Sequence, residues 1–473
     1  MKRSVSLARC LSALALLLLC GCSDDDGTGE PPSFVVILTD DQGYGDVGAF
    51  GATDIPTPNL DRLGREGMRL TSFYSAPTCT PSRAMLMTGS YGQRVSVPSA
   101  YYPASSEGLS PDERTVAELL QERGYATALV GKWHLGHLPP FLPTRQGFDE
   151  YFGIPYSNDM GRVNPIFQPI YPDLPLMLGE EVVELEPDQS QLVRRYTDYA
   201  TDFIRRQSDR PFFLLLAHSM PHWPIAASEA FRGSSSRGLY GDVIAEIDAS
   251  VGEILATLEE TGIDDRTLVL FASDNGPWLI FGDQAGSAGS LREGKSTSFE
   301  GGVRVPSIAR FPGRIPAGSE SAAVLGLVDV LPTFAGLAGA EIPGDRTIDG
   351  HDVWPVLSGR APQSLDDRGW AFYRDGALEA VRRGPWKLFL PHRYPTVALP
   401  GVDGRPGLGG TGEIGLALFD VEHDREERSD VAAGEPEVVA ELLDLAEEAR
   451  SDLGDSLTRR TGAGVRPAGR VVE

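Results

Sequence analysis

Four short apolar runs along the chain break off abruptly into polar clusters. Phe34-Val35-Val36-Ile37-Leu38-Thr39 stops at Asp40-Asp41, and Ala126-Thr127-Ala128-Leu129-Val130 stops at Gly131-Lys132-Trp133-His134. Phe212-Phe213-Leu214-Leu215-Leu216-Ala217 stops at His218, with His222 four residues on, and Leu268-Val269-Leu270-Phe271-Ala272 stops at Ser273-Asp274-Asn275. Continuous β-branched or aromatic runs of this length read as strands buried on both faces. Helical patterns lie between them. Thr115 to Arg123 has helical periodicity and meets Gly124 where a left-handed cap belongs, and Val243 to Leu255 lines one face with aliphatic residues. Alternating strands and helices predict an α/β fold, a large mostly parallel sheet sandwiched by helices, over residues 33–359. Ligands of such sheets bind beyond the carboxyl ends of the strands, where all four polar clusters lie.

Residues 360–457 read differently. Trp370-Ala371-Phe372-Tyr373, Ala380-Val381-Arg382, Trp386 to Leu390 and Leu418-Phe419-Asp420 predict a smaller antiparallel sheet, and Pro436 to Leu453 an amphipathic helix. The glycine-rich stretch 401–415 is expected to be a loop, and 458–473 a disordered tail.

The start of the chain carries targeting chemistry. Met1-Lys2-Arg3 is a positive n-region, and Leu11 to Leu19 is apolar but about half the ~20 residues needed to span a bilayer. Leu19-Cys20-Gly21-Cys22 resembles a bacterial lipoprotein box. Residues 1–22 are thus expected to be a lipoprotein signal peptide with Cys22 acylated, and 23–32 a solvated tether. Ser23 after the anchor points to outer-membrane sorting in a bacterial cell envelope, with the membrane contacted through the lipid anchor only. A secreted protein is the alternative.

Charge narrows the partners. A net charge of −25 argues against nucleic acid. It leaves room for an anionic small substrate, because a site can be locally positive. The four lysines stand against thirty-eight arginines, and outside the signal only Lys132, Lys295 and Lys387 remain. Lys132 and Lys295 fall in polar clusters; Lys387 reads as structural.

Three of the four cysteines lie in the signal, which leaves Cys79 alone in the folded part. It can be no half of an intrachain disulfide, and it has no zinc-site partner. An inert thiol, a nucleophile or a target of modification remain. The helical pattern after it puts Cys79 beside a helix N-terminus, which favours an anion. Asp40, Asp41, Asp274 and Asn275 offer hard oxygen ligands from two strand ends, suited to Ca²⁺ or Mg²⁺ more than zinc. Arg83, Lys132 and Lys295, with His134 and His222, would supply the positive charge an anionic substrate needs. His137 and His218 are ambiguous; His351, His392 and His423 read as structural or exposed.

Cys79-Thr80-Pro81-Ser82-Arg83 resembles the C-x-P-x-R signature of type I sulfatases, of the arylsulfatase A-like group in the alkaline phosphatase-like superfamily. Leu38 to Asp46, Gly131-Lys132-Trp133-His134-Leu135-Gly136, Gly153-Ile154-Pro155-Tyr156-Ser157, Gly294 to Gly302, and Leu418 through Arg428 match it in order. The resemblance implies a sulfuric ester hydrolase acting on a sulfated small molecule or saccharide. It implies conversion of Cys79 to formylglycine (3-oxoalanine) by a maturation enzyme. Asp40, Asp41, Asp274, Asn275 and the modified Cys79 would ligate the metal, usually Ca²⁺. Arg83 would hold the formylglycine, Lys132 the sulfate and aldehyde region, Lys295 and His222 the sulfate and leaving oxygen, and His134 the modified residue. The implied route is attack by a gem-diol oxygen with Asp274 as base, protonation of the alcohol by His222 or Lys295, and elimination of sulfate with His134 taking the proton. Ser296 stands where glycine is common, and Asn158 where several relatives carry histidine. A phosphodiesterase or phosphonate monoester hydrolase on the same fold is the nearest alternative, and a non-cleaving glycan-binding lipoprotein a more distant one.

Overall fold

In the computed structural model the apolar runs become the middle of a ten-stranded sheet. Its order is Ser319–Ser321, Met68–Leu70, Ser307–Arg310, Thr267–Ser273, Ser33–Thr39, Phe212–Ala217, Ala126–Gly131, Glu150–Gly153, Pro175–Leu178 and Glu181–Leu185. The five strands from Thr267–Ser273 to Glu150–Gly153 are parallel, while the strands flanking them pair antiparallel with that block. The structure describes residues 31–471 except 163, 165, 167–169, 362–364 and 366. The signal, the Cys22 anchor and most of the tether therefore lie outside the described residues. Among the described residues no helix is long and apolar enough to cross a membrane.

The runs are apolar at every position because both faces are covered. Phe34, Val36 and Leu38 enter one core with Leu86, Leu120, Phe213 and Phe334; Val35 and Ile37 enter the other with Leu60, Tyr196, Phe203 and Val251. The helices Cys79–Thr88, Val116–Gln121 and Val330–Ala338 contribute to the first core, and Pro58–Glu66, Leu192–Arg206 and Gly238–Glu260 to the second. Each fully buried Leu, Ile or Phe contributes on the order of 1.5–3 kcal/mol, so register in the central block is strongly specified. Gly131 closes its strand at φ 114°, and a Cβ there would meet the Ala217 carbonyl oxygen at 1.8 Å. No other residue type allows Lys132 to emerge at that point.

The smaller sheet runs Gly369–Arg374, Ala377–Arg383, Trp386–Phe389, Ala417–Asp420, all antiparallel, with the helix Pro436–Leu453 across one face through Leu442 and Ala446. Its other face sends Trp370, Phe372, Phe389 and Phe419 into the first core. The described residues from 31 to 471 accordingly form one compact unit.

Two expectations are corrected. The glycine-rich stretch is not all loop: Leu408–Ile414 pairs antiparallel with His392–Leu399. Glycine is needed there because a Cβ on Gly412 would meet the Tyr394 ring at 2.5 Å. The segment after Thr458 is not disordered either. Gly469–Arg470 pairs with Glu107–Gly108, and Arg466 reaches Glu113 at 2.7 Å. Two short strand pairs and the ion pairs of Arg460, Arg466 and Arg470 hold what composition alone assigns to a tail.

Candidate active site

Five adjacent parallel strands deliver the site. Reading across the sheet, their carboxyl ends carry Asp274 and Asn275, Asp40 and Asp41, His222, Lys132 and His134, and Ser157. The helix Cys79–Thr88 adds Cys79 and Arg83. It begins at Cys79 itself, with Thr78 extended before it, and ends on Gly89 in a left-handed cap. Cys79 and Arg83 are four residues apart on this buried helix and so share a face. Pro81 sits in the first turn, where its missing N–H costs nothing. The spacing of the motif is thus a helical geometry.

Charges alternate at close range. Lys132 Nζ lies 2.5 Å from Asp40 Oδ2, and Lys295 Nζ lies 2.6 Å from Asp41 Oδ1. Arg83 donates from Nε and Nη2 to Asp274 Oδ2 at 3.1 and 2.9 Å, and from Nη1 to the Lys132 carbonyl. Cys79 Sγ lies between Asp40 Oδ1 at 3.4 Å and Lys295 Nζ at 3.3 Å. Asn275 donates to Asp41 Oδ1 at 2.6 Å, and the Asp41 N–H donates to Asp274 Oδ1 at 3.2 Å. All of these side chains are buried except Lys295, which is half-buried. The expected residues converge on one point.

The histidines are fixed in their tautomers by backbone carbonyls, which can only accept. His134 Nε2 faces the Tyr101 carbonyl at 3.0 Å, so Nε2 carries the proton and Nδ1 a lone pair. His222 Nδ1 faces the Trp223 carbonyl at 2.6 Å, which leaves the lone pair on Nε2, 3.5 Å from the Ser157 hydroxyl and 3.7 Å from Asp41 Oδ2. Burial, and then the neighbouring lysines, hold both rings well below the ordinary histidine range, so both are neutral. His218 does not join them; its ring faces Ser250 at 3.2 Å. His137 lies against Tyr156.

Backbone strain marks the same residues. Asp41, His134 and Ser296 adopt φ of 67°, 66° and 69°, a region that non-glycine residues rarely enter. Ser296 stands where glycine is common, and its φ is the reason glycine suits the position. Hydrogen bonds from Lys295 N to the Pro277 carbonyl and from Ser296 N to the Pro77 carbonyl hold the turn that aims Lys295 inward.

The donor set fits a hard divalent cation. Asp41 Oδ2 and Asn275 Oδ1 are buried with no hydrogen-bond partner among the described residues. Burial pushes the Asp41 carboxyl up to about 7, against the pull of Lys295 and with Asp40 and Asp274 adding repulsion. For Asp40 burial also raises, but the surrounding charges, Lys132 foremost, hold it well below the carboxylate range. Asp40, Asp41, Cys79 and His222 offer ligand atoms within 4.8 Å of one another. Asp274 and Asn275 adjoin this group through Asp41. Three carboxylates and three cationic side chains cancel, so a bound dication leaves the site positive, as an anionic substrate requires.

The sulfatase family pattern matches residues 32–340. The chain belongs to the sulfatase family. N-acetylgalactosamine-6-sulfatase of Canis lupus familiaris is 44% identical over 382 residues, covering 76% of this chain and 72% of the relative. Arylsulfatase G of Homo sapiens is 37% identical over 477 residues, covering 91% and 90%. Among solved structures, the PsFucS1 sulfatase from Pseudoalteromonas sp. superposes with a TM-score of 0.80 at 28% identity, covering 89% of this chain and 90% of that one. The protein is a sulfatase, an enzyme that hydrolyses sulfate esters of carbohydrates or aryl alcohols.

Sequence reading passed over two groups in this sulfatase. The Tyr101 carbonyl, which sets the His134 tautomer, has no side-chain signature. Ser157 appears in a matching motif, yet its hydroxyl links Lys132 Nζ at 3.1 Å with His222, a role visible only in three dimensions.

Proposed function

We propose that this sulfatase removes an O-sulfate from a hexosamine-type saccharide, using formylglycine at position 79 and a divalent cation, Ca²⁺ or alternatively Mg²⁺. The observation that supports it best is the placement of Cys79 between Asp40 and Lys295, with Arg83 one helical turn away. Burial, and then Asp274 and Asp40, push the Cys79 thiol well above its ordinary range, so the unmodified residue is a neutral thiol and a poor nucleophile. Oxidised by a maturation enzyme and hydrated, residue 79 would supply the hydroxyl that attacks sulfur.

Asp40, Asp41, Asp274, Asn275 and residue 79 would hold the cation, which supplies Lewis-acid charge. Arg83 keeps Asp274 oriented and braces the backbone at Lys132. Lys132, steadied by Ser157, faces the sulfuryl oxygens and stabilises charge developing there. Burial alone would lower Lys295, but Asp41 and the other acidic neighbours hold it well above the ordinary lysine range. Lys295 therefore carries the proton that a departing alcohol needs, whereas the lone pair on neutral His222 Nε2 accepts and positions. His134 Nδ1, buried without a hydrogen-bond partner among the described residues, would take a proton from residue 79 as sulfate leaves.

The saccharide assignment draws on the 41–44% identity to N-acetylgalactosamine-6-sulfatases. The test is turnover of 4-nitrophenyl sulfate against 4-nitrophenyl phosphate, with mass spectrometry of the peptide carrying residue 79. Sulfate turnover that scales with the formylglycine content supports the proposal, and preference for the phosphate overturns it. Residues 1–21 would be removed and the protein anchored through acylated Cys22 in a bacterial envelope; recovery of wild type and Cys22→Ala alike as free protein would refute that part.

A further inference from the structure

Two residues beyond Ser157, the chain presents a carboxylate that none of the chemistry above uses. Asp159 Oδ1 is buried and has no hydrogen-bond partner among the described residues, and no ion pair forms on it there. Burying a carboxylate oxygen without a donor is costly, so such an atom requires an explanation. Its position is held rigidly. Asn158, the residue before it, donates from Nδ2 to Gln189 Oε1 at 2.9 Å and to the carbonyls of His222 and Pro224 at 3.2 and 3.1 Å. Asn164 Nδ2 donates to the Asp159 carbonyl at 2.6 Å. Asp159 is thereby fixed beside the loop bearing His222, the side on which the leaving alcohol must sit. Burial raises its carboxyl, while Lys132, the nearby Ser157 hydroxyl and Lys295 pull the other way, which sets the carboxylate beside the site's cationic side chains.

We propose that Asp159 is a specificity-determining residue that accepts hydrogen bonds from a hydroxyl, or an acetamido N–H, on the sugar carrying the sulfate. This rests on the sulfatase acting on a saccharide. A carboxylate here meets a donor that a sugar has and a simple aryl sulfate lacks. It also disfavours a second anionic group at the same position, so the preferred unit carries its neutral hydroxyls toward Asp159. The positive residues read the sulfate; Asp159 reads the rest of the ring.

Kinetics on two probes test this. Asp159→Asn and Asp159→Ala are assayed on N-acetylgalactosamine 6-sulfate and on 4-nitrophenyl sulfate. The expected result is a fall of about 10- to 100-fold in kcat/KM on the sugar, the loss of a charged hydrogen bond. On the aryl ester the change should stay within about threefold. Of the 3-deoxy and 4-deoxy sugar sulfates, at least one should be disfavoured by wild type and not by Asp159→Asn. Equal losses on both probes, or no loss on the sugar, overturn the assignment while aryl sulfate turnover by wild type still upholds the sulfatase chemistry. Wild-type turnover of neither probe overturns both.

Discussion

Two of the buried charge clusters among the described residues are built alike but finished differently. One is the site around Cys79. The other joins the large sheet to the small one: Lys387 Nζ lies 2.8 Å from Glu300 Oε1 and 3.0 Å from Glu427 Oε1. Tyr74 and Arg304 complete Glu300 at 2.7 and 3.1 Å, and the Glu300 N–H donates to Glu427 Oε2 at 2.8 Å. The Lys387 ammonium also lies over the Phe372 and Phe389 rings. In this second cluster both carboxylates meet the Lys387 ammonium, and of its members only Glu427 Oε1 lacks a hydrogen bond among the described residues. In the first, Asp41 Oδ2, Asn275 Oδ1, His134 Nδ1 and Asp159 Oδ1 are left without hydrogen-bond partners among the described residues. A buried cluster whose charges pair off serves the fold; one with several polar atoms to spare is shaped for something absent from the chain.

The sharpest way to break this contrast is at Cys79. Cys79→Ala should abolish multiple turnover of 4-nitrophenyl sulfate yet shift the thermal midpoint little, because the thiol makes only two long polar contacts. In a host that does not oxidise serine, Cys79→Ser should be sulfated once and then stall, since one hydroxyl can attack but no second can expel sulfate. Intact-protein mass spectrometry after substrate exposure reads the trapped group. Sustained turnover by the serine variant would remove the basis for a two-hydroxyl nucleophile.

The next prediction concerns Lys387. Removing one partner of a buried ion pair costs about 3–5 kcal/mol. Lys387→Met should therefore lower stability in denaturant titration by about that much, with KM for the aryl sulfate nearly unchanged in the folded fraction. A selective loss of activity at unchanged stability would place Lys387 with the first cluster.

Chelation sharpens the comparison from the other side. Carboxylates that repel one another gain stability only when a cation binds the folded state, by about 3 kcal/mol at a hundredfold excess over Kd. Removing the divalent ion should lower the thermal midpoint of wild type and should barely move that of Asp41→Asn. Equal chelator-induced shifts in both proteins would separate Asp41 from the metal.

How much of this was readable beforehand follows from which forces act locally. Strand ends such as Asp40-Asp41 and Asp274-Asn275 stood out because buried parallel strands leave uninterrupted apolar runs. The C-x-P-x-R spacing stood out because residues four apart share a helical face. Lys132 and Lys295 were conspicuous through the scarcity of lysine. Asp159 was not, since an unpaired oxygen is a property of what fails to surround it. The Tyr101 carbonyl was hidden for the same reason: a backbone acceptor carries no residue type. The strand Leu408–Ile414 was misread because glycine content signals a loop, when here it signals close packing against Tyr394. The ordered tail was missed because Arg466 finds Glu113 across more than three hundred residues of sequence.

The smallest expected effect is a pH dependence that belongs to the second cluster. Burial, with Glu300 adding repulsion and Lys387 opposing both, pushes the Glu427 carboxyl up to about 7, whereas the cationic neighbours Lys387, Arg304 and Arg382 overcome burial to hold Glu300 down at about 2. For Glu427 the folded state binds the proton more tightly than the unfolded chain does. Between its unfolded value and about 7 the folded protein thus holds more protons, so stability from this group falls as pH rises through that window and levels off above it. Glu300 works in the opposite sense at lower pH: its contribution is present above the unfolded value and lost as pH falls toward about 2. Glu427→Gln keeps an oxygen to accept from the Glu300 N–H but cannot ionise. Denaturant midpoints at pH 5 and pH 7.5 should therefore differ less in Glu427→Gln than in wild type. The same variant should leave the pH profile of aryl sulfate turnover in place, because Glu427 faces Glu300 and Lys387 and not Cys79. A shifted activity profile with an unchanged stability difference would mean that the two clusters are electrically one.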